Sequence, residues 1–162
     1  MKLLNILLFI ALVFGASLAG AQTKKPVKAE TKFGFLEKFE KTNGGYQIKI
    51  DYAEMFEDEA AEREAKRDGE PSPGETSGIY IRNKNPKIHT EEVAANAVVI
   101  VLKNLQPYKL TLARFGELLN GKSAGSDEFW GFSQYAAGGE PMPCRVTVKN
   151  AVITKIEQVY FP

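Results

Sequence analysis

The sequence predicts a mainly β chain with two helices (α+β): a small antiparallel sheet of five to seven strands, curled toward an OB-like barrel. Three observations predict it. Tyr46, Ile48, Ile50 and Tyr52 alternate with Gln47, Lys49 and Asp51 directly after Asn43-Gly44, the strongest short hairpin signal. Between Cys144 and Phe161, Val146 and Val148 alternate with polar residues, Lys149-Asn150 interrupts, and a second β-branched run follows. Only two stretches carry helical character, Glu54 to Arg67 and Thr111 to Gly121. Strand pair, helix, central strands, helix, closing strands is an order compatible with an OB-like barrel.

Taken from the start, Lys2 precedes an apolar run from Leu3 to Phe14, and Ala19-Gly20-Ala21 has the small-x-small pattern of a cleavage site. Residues 1–21 are read as a signal peptide. The run falls short of the roughly 20 apolar residues of a membrane span, so no span is expected after its removal. The expected location is the periplasm or the extracellular space. Removing those 21 residues from 162 leaves 141, the size of one domain. Residues 22–30, Lys-rich and broken by Pro26, read as a disordered leader, and 31–162 as a single β-rich domain.

Charge and cysteine content narrow the function. The segment 1–21 holds one of the 21 basic residues and none of the 20 acidic ones, so the remainder is formally neutral. A neutral domain lacks the broad basic field on which non-specific nucleic-acid binding relies. Cys144 is the only cysteine and is expected buried and inert at a strand start, behaving as a small hydrophobe.

In the first hairpin Phe33, Phe35 and Phe39 share one parity. Glu54 to Arg67 is rich in Ala, Glu, Lys and Arg; Asp58 is its expected cap and Gly69 its stop. The helix is expected to be mostly solvated. Asp68 to Gly78, with three glycines and two prolines, reads as a surface loop. Ile79 to Arg82 reads as a short strand, Ile88 to Val93 as an extended segment, and Ala97 to Leu102 as a strand covered on both faces. In the second helix Thr111 is the expected cap, with Leu112, Phe115, Leu118 and Leu119 as the apolar stripe and Asn120-Gly121 as the stop. Glu128 to Tyr135 reads as a further strand. In the closing hairpin Ala151 weakens the turn, and apolar residues on both parities mark an inner strand.

Several chemistries can be weighed against these elements. Gly116 to Ser123 satisfies the G-x-x-x-x-G-K-[ST] pattern of a P-loop, but its first residues form the apolar end of a helix. Carbonyls rather than amides would then face a phosphate. His89 is the only histidine, so no familiar zinc set can be assembled. Asp51, Glu54, Asp58 and Glu62 could approach one another as oxygen ligands for Ca2+, without the spacing of an EF-hand loop. No G-x-S-x-G elbow occurs, and Cys144 with His89 is the sole Cys/His pair. No metal or cofactor is expected.

The candidate recognition residues are aromatic. Ile79 and Ile81 share one face of their strand, so Tyr80 and Arg82 are expected to point to solvent. With Tyr135 and Trp130 they form the candidate ligand-binding set. The function expected is a non-enzymatic exported binding or structural domain recognising a protein or an envelope polymer. The alternatives are an OB-type oligosaccharide or oligonucleotide binder, and a hydrolase using carboxylates.

The chain also resembles a loose set of small exported bacterial proteins and lipoproteins of no assigned activity. The features are Gly34-Phe35, Asp51-Tyr52 before an acidic Ala-rich helix, Asp68-Gly69, Tyr80-Ile81-Arg82-Asn83 with Asn85-Pro86, and Ile156-Glu157-Gln158 with Tyr160 and Pro162. It departs from them in having no lipid-attachment cysteine and in Ala151, where a turn glycine is expected. The resemblance implies export and one compact domain.

Overall fold

The computed structural model describes residues 28–73, 78–121, 128–129, 131–135 and 139–161. The expected signal peptide, all but three residues of the leader, and Trp130 lie outside the described residues. Among the described residues seven strands and three helices follow in order: β1 (Glu30–Thr42), β2 (Gly45–Glu57), α1 (Asp58–Asp68), β3 (Ile79–Arg82), β4 (Ile88–Lys103), β5 (Gln106–Leu110), α2 (Leu112–Leu119), the single turn α3 (Phe132–Tyr135), β6 (Met142–Lys149) and β7 (Val152–Gln158).

Five of these strands close on themselves. β1 pairs with β2, β2 with β4, β4 with β7 in parallel, β7 with β6, and β6 back with β1. The result is a mainly β fold built on a closed five-stranded, OB-like barrel. β3 prolongs the sheet along the far end of β2, and β5 folds back on the second half of β4. Closure leaves the barrel strands without edges except where their ends outrun their partners.

The barrel is solid. Leu36, Phe39, Ile48, Ile50, Val99, Val101, Met142, Cys144, Val146, Ile153 and Ile156 fill it, and α2 seals one end with Leu112, Phe115 and Leu118. Thr111 caps that helix, its Oγ1 accepting from the Arg114 N–H at 3.2 Å. Gly116 belongs there because a Cβ would stand 3.2 Å from the Phe39 ring, which itself meets Phe115 edge-on at 5.0 Å.

Irregularities in the ladders explain where simple alternation fails. The β1–β2 register shifts between Leu36 and Lys38, which turns Phe39 inward while Phe33 and Phe35 remain outside the main core and pack on each other. The shared parity expected of the three phenylalanines is therefore broken by a bulge. A shift in β6–β7 beside Thr154 likewise lets Ile153 and Ile156, on opposite parities, both enter the core. β7 is an inner strand in that it is paired on both edges, and its double apolar parity comes from a bulge.

Other expectations are corrected. Ile88–Val93 and Ala97–Leu102 are one strand, β4, interrupted by a register shift against β7. Glu128 to Tyr135 is not a strand: Phe129 makes an isolated bridge to Lys103 and α3 follows. The positive φ of Gly131, +72°, turns the chain between them. α1 begins at Asp58 rather than Glu54, because Glu54–Glu57 pair with β3 and continue β2. Its N-cap is Glu57, without a side-chain cap, and Asp58 takes φ 51° instead of capping. Ala61, Glu64 and Ala65 are buried, so the helix is packed rather than mostly solvated. Gly69 does stop it, in left-handed conformation, while Gly69 N–H and Glu70 N–H donate to Lys66 and Ala65 carbonyls, a Schellman arrangement.

Candidate functional site

Where β1 and β2 part, the structure opens. Their pairing ends at Phe33 opposite Ala53. Beyond it Glu30–Lys32 stay with β6, while Glu54–Glu57 turn away with β3. Between the parted strands lies a groove of about 1110 Å3, lined along β1 by Glu30 to Phe33 and along β2 by Tyr52 to Glu57. Ala60, Arg82 to Asn85 and Arg145 complete its walls.

Three ion pairs set the groove's electrostatics. Lys32 meets Glu30 at 3.2 Å, Arg82 Nη1 meets Glu54 at 3.0 Å, and Arg145 Nη2 meets Glu57 at 2.6 Å. Charge is thus balanced locally, and the apolar lining of Phe33, Ala53, Met55 and Phe56 lies among these pairs. The Lys32 ammonium also stands 5.3 Å from the centre of the Tyr52 ring. The Tyr52 hydroxyl is buried without a hydrogen-bond partner. Burial, with Glu91 adding to it, pushes that phenol well above its ordinary pKa.

One wall is held by a clamp centred on Arg82. Its Nε donates to Asp68 Oδ2 at 2.5 Å, Nη2 to Glu64 at 2.8 Å and Nη1 to Glu54. Asp68 also accepts from the Tyr80 hydroxyl at 2.9 Å and from Lys84 at 2.6 Å. The guanidinium lies 4.9 Å over the Phe56 ring. Fork geometry suits arginine to binding several carboxylates at once. The hydrogen bond from Arg82, then that from Lys84, holds Asp68 well below the ordinary carboxylate range; the hydrogen bond from Arg82 also lowers the pKa of Glu64. Nearby, Asp51 accepts from Asn83 Nδ2 at 2.7 Å and from the Lys87 N–H at 2.9 Å, fixing the turn between β3 and β4.

The sequence-predicted residues fare differently. Arg82 does not point to solvent: its side chain is 9% exposed. Tyr80 is half-buried and bonded to Asp68, with burial and that bond raising its pKa. Pairing opposite Glu54 and Phe56 puts both side chains on the face covered by α1, which alternation within four residues could not reveal. Of the two, Arg82 reaches the groove and helps build it. Tyr135 is half-buried against the core cluster on α3, which packs on α2, so it is not brought together with them. Trp130 lies outside the described residues. The residues missed were Phe33, Tyr52, Met55, Phe56 and Arg145. Tyr52 to Glu57 carries apolar residues on both parities and runs straight into what was read as helix, so no local alternation marked the groove.

The remaining chemistry is placed as follows. The P-loop pattern begins on the last turn of α2, where the Gly116 carbonyl accepts from Asn120 and the Leu118 carbonyl from Gly121. Lys122 and Ser123 lie outside the described residues. Asp51 and Glu54 spend their oxygens on Asn83, Lys87 and Arg82, and among the described residues no group of three His, Cys, Asp or Glu side chains could hold a metal ion. Cys144 is fully buried and its thiol is pushed up to about 12. Every carboxylate with a resolved shift, Glu40, Glu64, Asp68 and Glu128, is lowered by a cationic neighbour, opposite to the shift a general acid needs. Comparison with protein-family models, curated proteins and solved structures found no match to this chain.

Proposed function

We propose that the chain is an exported, non-enzymatic binding domain whose recognition site is the groove between β1 and β2. The observation that carries this reading is the contrast between a barrel filled with side chains and one large mixed groove beside it. Ligand sites are typically concave, about 300–1,000 Å3, apolar with a few placed polar groups, and the groove has that character. Tyr80 and Arg82 act as the scaffold of the site, and the partner is a protein or an envelope polymer.

A thermal-shift screen against metals, nucleotides, glycans, short oligonucleotides and peptides tests this. A ligand at 100 times its dissociation constant adds about 2.7 kcal/mol, a rise of roughly 5–10 °C for a domain of this size. Ala60→Trp, which fills the groove, is expected to abolish the rise while leaving the unliganded Tm nearly unchanged. A rise that survives it would place recognition elsewhere.

The barrel itself favours a second reading. OB barrels bind oligosaccharides or oligonucleotides on an outer strand face. Here the exposed residues of the paired stretches of β2 and β4 on that side are Lys49, Ile88, Thr90 and Glu92. None is an aromatic that could stack a base or a sugar. A ligand whose shift is lost in Lys49→Glu and kept in Ala60→Trp would favour this face.

A further inference from the structure

The lining of the groove is unusual for a cleft on a sheet. Successive side chains of a strand point to opposite faces, so a pocket lying on a face touches every second residue. This one touches four consecutive residues of β1 and six consecutive residues of β2. A cavity reached from both faces at once lies edge-on between the strands.

Both edges are open there. β2 uses one edge for β4 up to Asp51 and for β3 from Glu54 onward; β3 and β4 follow one another in the chain and run antiparallel to it. Its other edge belongs to β1 as far as Ala53. β1 in turn gives its outer edge to β6 from Glu30 onward. Among the described residues, the β1-facing edge of Glu54–Glu57 and the β2-facing edge of Glu30–Lys32 therefore have no strand partner. Such rows of unpaired N–H and C=O groups are templates for another strand.

We propose that this slot receives a short extended segment of a partner polypeptide, which adds as a strand between β1 and β2; the proposal rests on the groove being the recognition site. An extended peptide is the ligand whose N–H and C=O groups alternate at the repeat these edges present, and strand addition is a recurrent mode of peptide recognition. Edge lengths of three and four residues limit the paired core to about that many residues. Tyr52, Glu54 and Phe56 stand on one face of β2, with Lys32 beside them on β1. Ala53, Met55 and Glu57 stand on the other, with Phe33 beside them. The inserted segment accordingly takes apolar residues at alternate positions, against Phe33 and Met55, with polar ones between them facing Lys32 and Glu54. The Arg145–Glu57 pair links β6 to β2 and so ties together the two walls of the slot. Its members are exposed and it opens easily, being worth little in water.

The test selects a phage-displayed library of random heptapeptides on the exported chain and measures the enriched peptide by titration, together with versions N-methylated at single central amides. N-methylation removes a donor and blocks pairing while keeping every side chain. Each central methyl is expected to weaken binding about five- to tenfold, and Met55→Lys to abolish it. Binding that tolerates every N-methyl but is lost in Met55→Lys overturns strand addition and leaves the groove as the site. Binding indifferent to both Met55→Lys and Ala60→Trp overturns the groove as well. If no peptide is enriched, strand addition is overturned, and the groove is decided by the ligand screen with Ala60→Trp.

Discussion

Two hairpin turns hold residues in a conformation they do not favour, and relieving it has a calculable effect. β6 and β7 are joined by Asn150-Ala151 with φ 54° and 61°; β4 and β5 are joined by Asn104-Leu105 with φ 49° and 61°. Lys149 lies opposite Val152 and Lys103 opposite Gln106, so both are two-residue turns of type I′, which match the strand twist and favour glycine at the second position. Left-handed backbone costs a non-glycine residue about 1–2 kcal/mol. Glycine recovers that and loses about 0.4–1 kcal/mol to the freer unfolded chain. Ala151→Gly should therefore stabilise by about 0.5–1 kcal/mol, a rise of roughly 2–4 °C. Leu105→Gly should do the same, since Leu105 is 53% exposed and gives up little packing. Val152 faces Glu92 and Gln106 faces Lys103, so the turns are more than about 30 Å apart along β4 and their effects should add. Urea denaturation of the two single variants and the double variant measures this. Destabilisation by either glycine would refute the turn geometry.

Other perturbations test the packing and the clamp. Gly34→Ala places a Cβ 2.6 Å from the Asp51 carbonyl oxygen, on backbone fixed by the turn between β3 and β4; it should lower stability by about 1–2 kcal/mol, read by the same denaturation curves. Asp68→Asn should lower Tm at neutral pH. Because Asp68 has a depressed folded pKa, its contribution is complete above the unfolded value of 3.8 and is lost as pH falls through the lower folded value. The Tm gap between the two proteins should close in strong acid, and a gap independent of pH would contradict the clamp. Cys144 should resist thiol reagents until the protein unfolds. Its pKa rises from 9.0 to about 12, so its contribution is complete below pH 9 and declines toward pH 12, a slope that Cys144→Ala should reduce in alkaline melts.

The barrel was legible because alternation and turn chemistry are local. Tyr46 to Tyr52 and Val146 to Ile156 signal strands by themselves, and Thr111 with its apolar stripe signals a helix. Turn types were less legible. Asn43-Gly44, read as the strongest hairpin signal, has neither residue at positive φ, and Gly45 takes φ 145° instead. The turn expected to be weakened by Ala151 is the one with both residues left-handed, held there by the two strands it joins. β5 was missed because its turn carries Leu105 where glycine would have signalled it.

The groove was illegible for a related reason. Glu54 to Glu57 precede an Ala-rich acidic helix and share its composition, so nothing local says that they pair with Ile79–Arg82 some 25 residues later. Side chains far apart in the sequence fix these elements. Asp68 holds Tyr80 and Arg82, Asp51 holds Asn83, and Gln158 accepts from the Leu102 N–H at 2.9 Å. They are the fixings of α1, β3 and the barrel seam, and their contacts are distant in sequence.

Amide hydrogen exchange of the unliganded protein, followed residue by residue by NMR, tests the open slot most directly. Along Tyr46–Asp51, β2 is paired on both edges, and every amide should be protected. Along Glu54–Glu57 protection should alternate, slow for N–H groups bonded to β3 and fast for those facing β1. Uniform slow exchange through Glu57 would mean that β1 and β2 close upon each other, and would contradict a recognition slot between them.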